Sequence, residues 1–325
     1  MLLVDMFRSP VHIFVPCHNR NELTFDFFCH LNSVLLNKCD YVVHLIDDGS
    51  VDGTSENILE KWPSTLIHKL DGTAFWGGSL NYICEYVRNS LPIYPDPLIL
   101  IANDDIRFHR NSIENALNIM SKGFLDILIP VVIELPELYW NSTDILENFP
   151  INLEREYDLT VNYGDHYISN SNKFSRLSCA GDTNLGVTSA IFLFRSRLID
   201  CDVIPAGLPH YISDFWLTIS LHTKGYHLAT CSNYFIFRKL VSTRPSSRPF
   251  GRFNYWRSCC NPSSPDYLVA SIIFQLRFSS HKAKFIDIFV LTFKFLVFST
   301  LFRAKHQPAQ LALSPFGLLL LLLLG

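Results

Sequence analysis

The stretch Leu98-Ile-Leu-Ile-Ala-Asn-Asp-Asp-Ile106 decides how the rest of the chain is read. Leu98–Ala102 is a short, continuous apolar run, the pattern of a strand covered on both faces. Pro95 and Pro97 bound it on one side, and it stops abruptly at Asn103, Asp104 and Asp105 on the other. In open α/β sheets ligands bind beyond the carboxyl ends of the strands. Adjacent carboxylates at such an end are costly unless something compensates them. A hard divalent cation, Mn2+ or Mg2+, does so through carboxylate oxygens. On local grounds alone an acidic turn after a core strand fits equally well.

Upstream, the same strand-then-polar-loop pattern recurs. Val11–Val15 reads as a strand ending in Pro16-Cys17-His18-Asn19-Arg20, followed by a helix over Glu22–Asn37 with Phe25, Phe28, Leu31, Leu35 and Leu36 near helical spacing. Tyr41–Ile46 reads as a second strand, ending in Asp47-Asp48-Gly49-Ser50 and then Asp52-Gly53-Thr54. Ser50 or Asp52 would cap the helix that starts near Thr54. A carboxylate here would also suit the imide N–H of a uracil or thymine ring. Thr65–Leu70 is a third strand, followed by Asp71-Gly72-Thr73-Ala74-Phe75-Trp76-Gly77-Gly78. Glycines allow close backbone approach to a ligand, but without a Gly-Lys-Ser/Thr ending this is no P-loop. A helix over Ser79–Arg88 carries Asn81 in its first turn.

Four motifs therefore stand in order at strand–helix intervals: strand-Pro-Cys-His-Asn-Arg, Ile-Asp-Asp-Gly-Ser-x-Asp-Gly-Thr, Asp-Gly-x-x-x-Trp-Gly-Gly-x-x-Asn, and strand-Asn-Asp-Asp. Together they resemble the family 2 glycosyltransferases of the GT-A fold, particularly the rhamnosyltransferase-like branch, over roughly residues 11–230. The resemblance implies a Rossmann-like mixed sheet flanked by helices, and an inverting, metal-dependent transfer of a sugar from a nucleotide-diphosphate donor. It implies Asp105 as metal ligand in the place of the DXD motif, with Asp104 at the ribose or donor sugar. Pro16, His18, Asn19, Arg20 and Asp48 would then hold the nucleotide, Asp48 at the base. Asp71, Trp76, Gly77, Gly78 and Asn81 would lie near the sugar and diphosphate.

Downstream, helix Arg110–Lys122 and strand Ile127–Ile133 precede an aromatic, polar stretch over residues 134–180, read as the variable acceptor-side region. Gly186–Phe194 reads as a strand and Arg195–Asp200 as a short helix. In Pro209-His210-Tyr211-Ile212-Ser213-Asp214, Asp214 opens a helix ending near Lys224 before Gly225-Tyr226. Ser213 or Asp214 would suit an N-cap; in the resembling family the matching Asp is the general base. Many relatives carry a metal-facing His on the following strand, whereas Tyr226–Phe237 offers only His227, too early for that place.

Residues 238–257 carry six basic and no acidic residues, a basic loop suited to a diphosphate or to anionic lipid. The remainder is apolar and basic. Tyr267–Phe278 and Phe285–Phe302 suit helices lying in a membrane interface, and Leu318–Leu324 is an unbroken leucine run. The expected division is a nucleotide-sugar glycosyltransferase domain over 1–240 and membrane-associating helices over 241–325.

The chain is 48% hydrophobic and 18% charged, with net charge −3, so no global field points to nucleic acid and none is expected as a partner. Nine cysteines with no C-x-x-C pair suggest neither a zinc ribbon nor a redox motif, and fit reduced thiols in the cytoplasm. Met1–Pro10 does not read as a signal peptide, so the Asn141-Ser142-Thr143 sequon is taken as chance. The expected partners are a UDP- or dTDP-linked sugar, a glycan or lipid-linked acceptor of cell-surface polysaccharide synthesis, and the inner face of the cell membrane. The competing readings are a nucleotidylyltransferase, which would want a basic Gly-rich signature near residue 16, and a non-catalytic membrane scaffold with a degenerate nucleotide site.

Overall fold

The computed structural model describes residues 9–35, 38–135, 140, 160–162, 181–182, 189–210, 212–239, 261 and 267–278. Its first unit comprises residues 1–204 and 213–241. There β1 (Val11–Cys17), β2 (Tyr41–Asp47), β3 (Leu66–Lys69) and β4 (Leu98–Ala102) alternate with α1 (Asn21–Leu35), α2 (Thr54–Lys61) and α3 (Phe75–Ser90). β5 (Ile106–Phe108), α4 (Ser112–Met120), β6 (Ile127–Leu135), β7 (Thr160–Asn162), β8 (Gly181–Asp182) and β9 (Ala190–Phe194) follow. α5 (Arg195–Ile199), α6 (Ser213–Thr223) and β10 (Leu228–Lys239) complete the described part of this unit. The second unit, residues 205–212 and 242–325, contains helix α7 (Leu268–Phe278).

The sheet runs β3-β2-β1-β4-β9-β6-β10-β5, with β7 on β6 and β8 on β10. β1, β2, β3 and β4 are mutually parallel where they pair, while β9 is antiparallel to β4 and β6. This is the expected mixed α/β sheet. The order reverses at β1, with β2 on one side and β4 on the other, the kind of switch point beyond whose carboxyl ends ligands bind in open α/β sheets. Cys17 pairs with Asp47 and Phe14 with Ile101, which brings the polar loops after the three strands to one edge.

The core explains the continuous apolar runs. All five residues of β4 are buried, as are all seven of β1, because helices cover both faces. On α1 the buried set is Thr24, Phe27, Phe28, Leu31, Val34 and Leu35. Phe25 sits at the margin of that face and packs on Trp62. α3 begins at Phe75, one turn before the expected Ser79, so Gly77 and Gly78 lie inside the helix rather than in a loop. β5, unexpected from the sequence, pairs with β10 immediately after the acidic motif.

Among the described residues no helix is long and apolar enough to cross a membrane. The expected segments 285–302 and 318–324, residues 240–257 of the basic loop, the sequon and most of 134–180 lie outside the described residues. Six cysteines are described, at 17, 29, 39, 84, 201 and 231, and each is a free thiol.

Candidate active site

The loops after β1, β2 and β3 are sewn to one another. Asn19, at φ 49° in the left-handed region, donates its backbone N–H to Ser50 Oγ (2.9 Å) and accepts from Val51 N (2.9 Å). His18 Nδ1 contacts the backbone oxygen of Asp48, and its Nε2 meets the Asn19 amide at 3.0 Å. Asp52 accepts from the N–H groups of Asn21 (2.9 Å) and Thr54 (3.2 Å), at the starts of α1 and α2. Neither expected residue is the cap: Gly53 occupies the N-cap of α2 without a side-chain hydrogen bond, Asp52 braces Thr54 from one position before it, and Ser50 serves the clasp. Pro16 lies buried within β1, in register with Ile46.

Both carboxylates of the Asp47-Asp48 pair are buried and occupied. Asp47 accepts from Ser50 N (2.8 Å) and the Ser55 hydroxyl. Asp48 accepts from the N–H groups of Gly72 (3.0 Å), Ala74 (3.2 Å) and Phe75 (2.8 Å). A carboxylate has about four lone-pair positions, so Asp48 keeps about one for a ligand. Its main structural duty is to pin the loop that starts α3. Gly49 and Gly72, both at positive φ, touch there; a Cβ on Gly49 would stand 2.8 Å from Gly72 Cα. Asp71 is exposed and folds back on Thr73, whose hydroxyl and N–H hold its carboxyl below the usual range.

The second acidic pair divides its work. Asp104, 2% exposed, receives Arg20 Nη1 on one oxygen and the Thr24 hydroxyl on the other, each at 2.9 Å. Burial raises its pKa to about 6 even against the Arg20 charge. Asp105 differs. Its Oδ1 and that of Asn103 are buried and have no hydrogen-bond partner among the described residues. Two buried, unpartnered oxygens on residues two apart, directly after β4, are donors of the type a hard divalent cation takes. No group of three His, Cys, Asp or Glu side chains among the described residues gathers around a metal position. The remaining coordination would therefore fall to phosphate oxygens and water. His227 lies at the opposite end of the sheet, its N–H on Asp126 at 2.8 Å, as its early place in the sequence suggested.

Asp214, in the first turn of α6, accepts from the indole N–H of Trp76 in the first turn of α3. Asn81, one turn further on, spends its amide on Ile204, donating to its oxygen and accepting from its nitrogen, each at 2.8 Å. It thereby fixes the segment that leads toward α6. Gly77 is buried and Gly78 stands against Ala74, where a Cβ would sit 2.9 Å from that side chain. Thr24 and Asn103 are site residues that the sequence reading passed over. Thr24 lies four residues after Arg20, so both reach one carboxylate; Asn103 stands two residues before Asp105, an Asn-x-Asp spacing.

The sequence profile described as glycosyl transferase family 2 matches residues 12–199. No curated protein matches the chain at a significant level. Among solved structures, the mannosyltransferase PcManGT from Pyrobaculum calidifontis, in complex with GDP-Man and Mn2+, is 14% identical, covers 98% of this chain and 84% of its own, and has a TM-score of 0.50. GalNAc-T7 with UDP, GalNAc and Mn2+ is 10% identical over 71% of this chain and 44% of its own, with a TM-score of 0.51. TarS 1-349 of S. aureus is 13% identical over 91% of this chain and 73% of its own, with a TM-score of 0.49.

Proposed function

Because the chain belongs to glycosyl transferase family 2, and so is a glycosyltransferase, we propose that it moves a sugar from a nucleotide-diphosphate donor to an acceptor hydroxyl with inversion at the anomeric carbon. The observation that carries this reading is the pair of buried, unpartnered oxygens on Asn103 and Asp105, on either side in sequence of the locked Asp104 after β4. Asp105 and Asn103 would hold a divalent cation, Mn2+ or Mg2+, which acts as a Lewis acid on the leaving diphosphate.

The chain's own groups do the rest. Arg20 is half exposed while paired with Asp104, so its guanidinium is available to a phosphate or ribose at that edge. His18, Asn19 and the remaining lone pair of Asp48 line the nucleotide side, where Pro16 backs them from within β1. Asp71 would face the donor sugar, and Gly77 and Gly78 let the first turn of α3 pack closely. Asp214 accepts the acceptor hydroxyl proton as the oxygen attacks the anomeric carbon and the bond to the β-phosphate oxygen breaks. One displacement inverts the centre.

The likeness of the Asp71–Asn81 motif to the rhamnosyltransferase-like branch supports a dTDP-deoxyhexose or UDP-hexose donor. The apolar, basic composition after residue 241 supports an acceptor held at the inner face of a membrane, a lipid-linked precursor of a surface polysaccharide. The test is release of nucleoside diphosphate from UDP-, dTDP- and GDP-sugars with Mn2+, Mg2+ or EDTA, in wild type and Asp214→Asn. Metal-dependent release from one nucleotide class, lowered about a hundredfold or more in the variant, is expected. Equal activity in EDTA, or in Asp214→Asn, would overturn the assignment.

A further inference from the structure

We infer that Trp76 is a positioning residue for the carboxylate of Asp214, and that a strained backbone at Phe75, held by Asp48, aims it. The inference rests on the reading of Asp214 as general base and changes what Trp76 is for: it serves the base rather than the donor sugar.

Phe75 has φ 52°, the left-handed region that bulky side chains avoid. Such conformations are strained and persist only where the surroundings over-determine them. Here the surroundings are visible. The buried carboxylate of Asp48 takes the N–H groups of Gly72, Ala74 and Phe75. Ser79 Oγ, one turn on, donates to the Phe75 oxygen at 2.7 Å. With the chain fixed on both sides of Phe75, the next residue leaves the loop in one direction. That residue is Trp76, and its indole N–H ends on Asp214 Oδ1, 138 positions away in sequence.

An indole suits this task chemically. It is a donor only, so it fixes a carboxylate oxygen without competing for the proton that the base must accept. It has no charge, so it orients the carboxylate without neutralising it. A ring contributing only to donor binding would need no aligned N–H on a carboxylate.

The experiment uses the full chain with 15N-labelled tryptophan and follows the indole N–H resonances. Trp76→Phe identifies the Trp76 signal by its loss. Asp214→Ala should then move that one signal strongly upfield, and Asp214→Asn should move it less, because a neutral amide oxygen still accepts. A Trp76 signal unchanged in Asp214→Ala overturns the contact. The kinetic arm measures nucleoside diphosphate release from UDP-glucose, dTDP-rhamnose and GDP-mannose. Trp76→Phe should lower kcat about ten- to hundredfold, leaving donor KM within about twofold, and Trp76→His, which retains a ring N–H, should recover part of the loss. A raised donor KM with unchanged kcat would return Trp76 to the donor site and overturn the inference while leaving the base in place. Full activity in Asp214→Asn would overturn the base reading instead.

Discussion

Asp104 and Asp105 are neighbours in sequence, yet their environments differ: one carboxylate is locked by Arg20 and Thr24, the other keeps an orphaned oxygen. Replacing Arg20 with Met leaves the buried Asp104 with a neutral donor alone, and should lower stability at pH 7.5 by about 1–3 kcal/mol in urea unfolding. The pH dependence has a definite sign. Burial raises the Asp104 pKa from 3.8 to about 6, so the fold binds a proton that the unfolded chain releases. This group's contribution is complete below about pH 3.8 and is lost as pH rises through about 6. The Arg20→Met deficit should accordingly shrink at pH 5. Asp48→Asn should also cost about 1–3 kcal/mol, since a single amide oxygen replaces two acceptors for three N–H groups on a buried side chain. The acidic pairs themselves were legible in the sequence. Their division of labour was not, because the partners of Asp104 lie 80 and 84 positions away.

Three histidines on three adjacent strands make a ladder. His12 Nδ1 meets His44 Nε2 at 2.9 Å, His44 Nδ1 meets His68 Nε2 at 3.0 Å, and His68 Nδ1 meets the Tyr82 hydroxyl of α3 at 3.0 Å. Each contact needs one donor and one acceptor, so the ladder is satisfied by neutral imidazoles of one tautomer. Burial and the neighbouring rings hold His44 down to about 3, and burial lowers His12 and His68. A lowered pKa means that the unfolded chain takes up protons first as pH falls. The contribution is complete above about 6.5 and is lost progressively toward about pH 3. The ladder should therefore pull urea midpoints down between pH 7.5 and 5, against the rise that Asp104 contributes over the same range. His44→Leu should remove that downward pull and lower stability at pH 7.5 by about 1–3 kcal/mol, because His12 and His68 lose their partner. A slope unchanged in the variant would place the titration elsewhere. The strands that carry these residues were read correctly from apolar runs. The start of α3 was not, because Gly77 and Gly78 suggested a loop; tertiary hydrogen bonds from Asp48 outweigh the weak helix propensity of glycine.

At the scale of the whole molecule, the strand order puts four polar loops on one edge. The motif spacing showed the alternation of strands and helices, but not the reversal at β1, which local sequence does not encode. The later half was less legible: β5 is three residues long, and β10 shifts register between Thr230 and Phe235, a bulge that no periodicity announces. The central claim is a metal-assisted nucleotide-sugar site built on Asp105 and Asn103. Its most direct test is thermal unfolding of wild type and Asp105→Ala with UDP-, dTDP- and GDP-linked sugars, each with and without Mn2+. A ligand bound to the native state raises the melting temperature by mass action. The account predicts a rise confined to one nucleotide class, dependent on Mn2+ and lost in Asp105→Ala. A rise of equal size without metal, or in the variant, would contradict it.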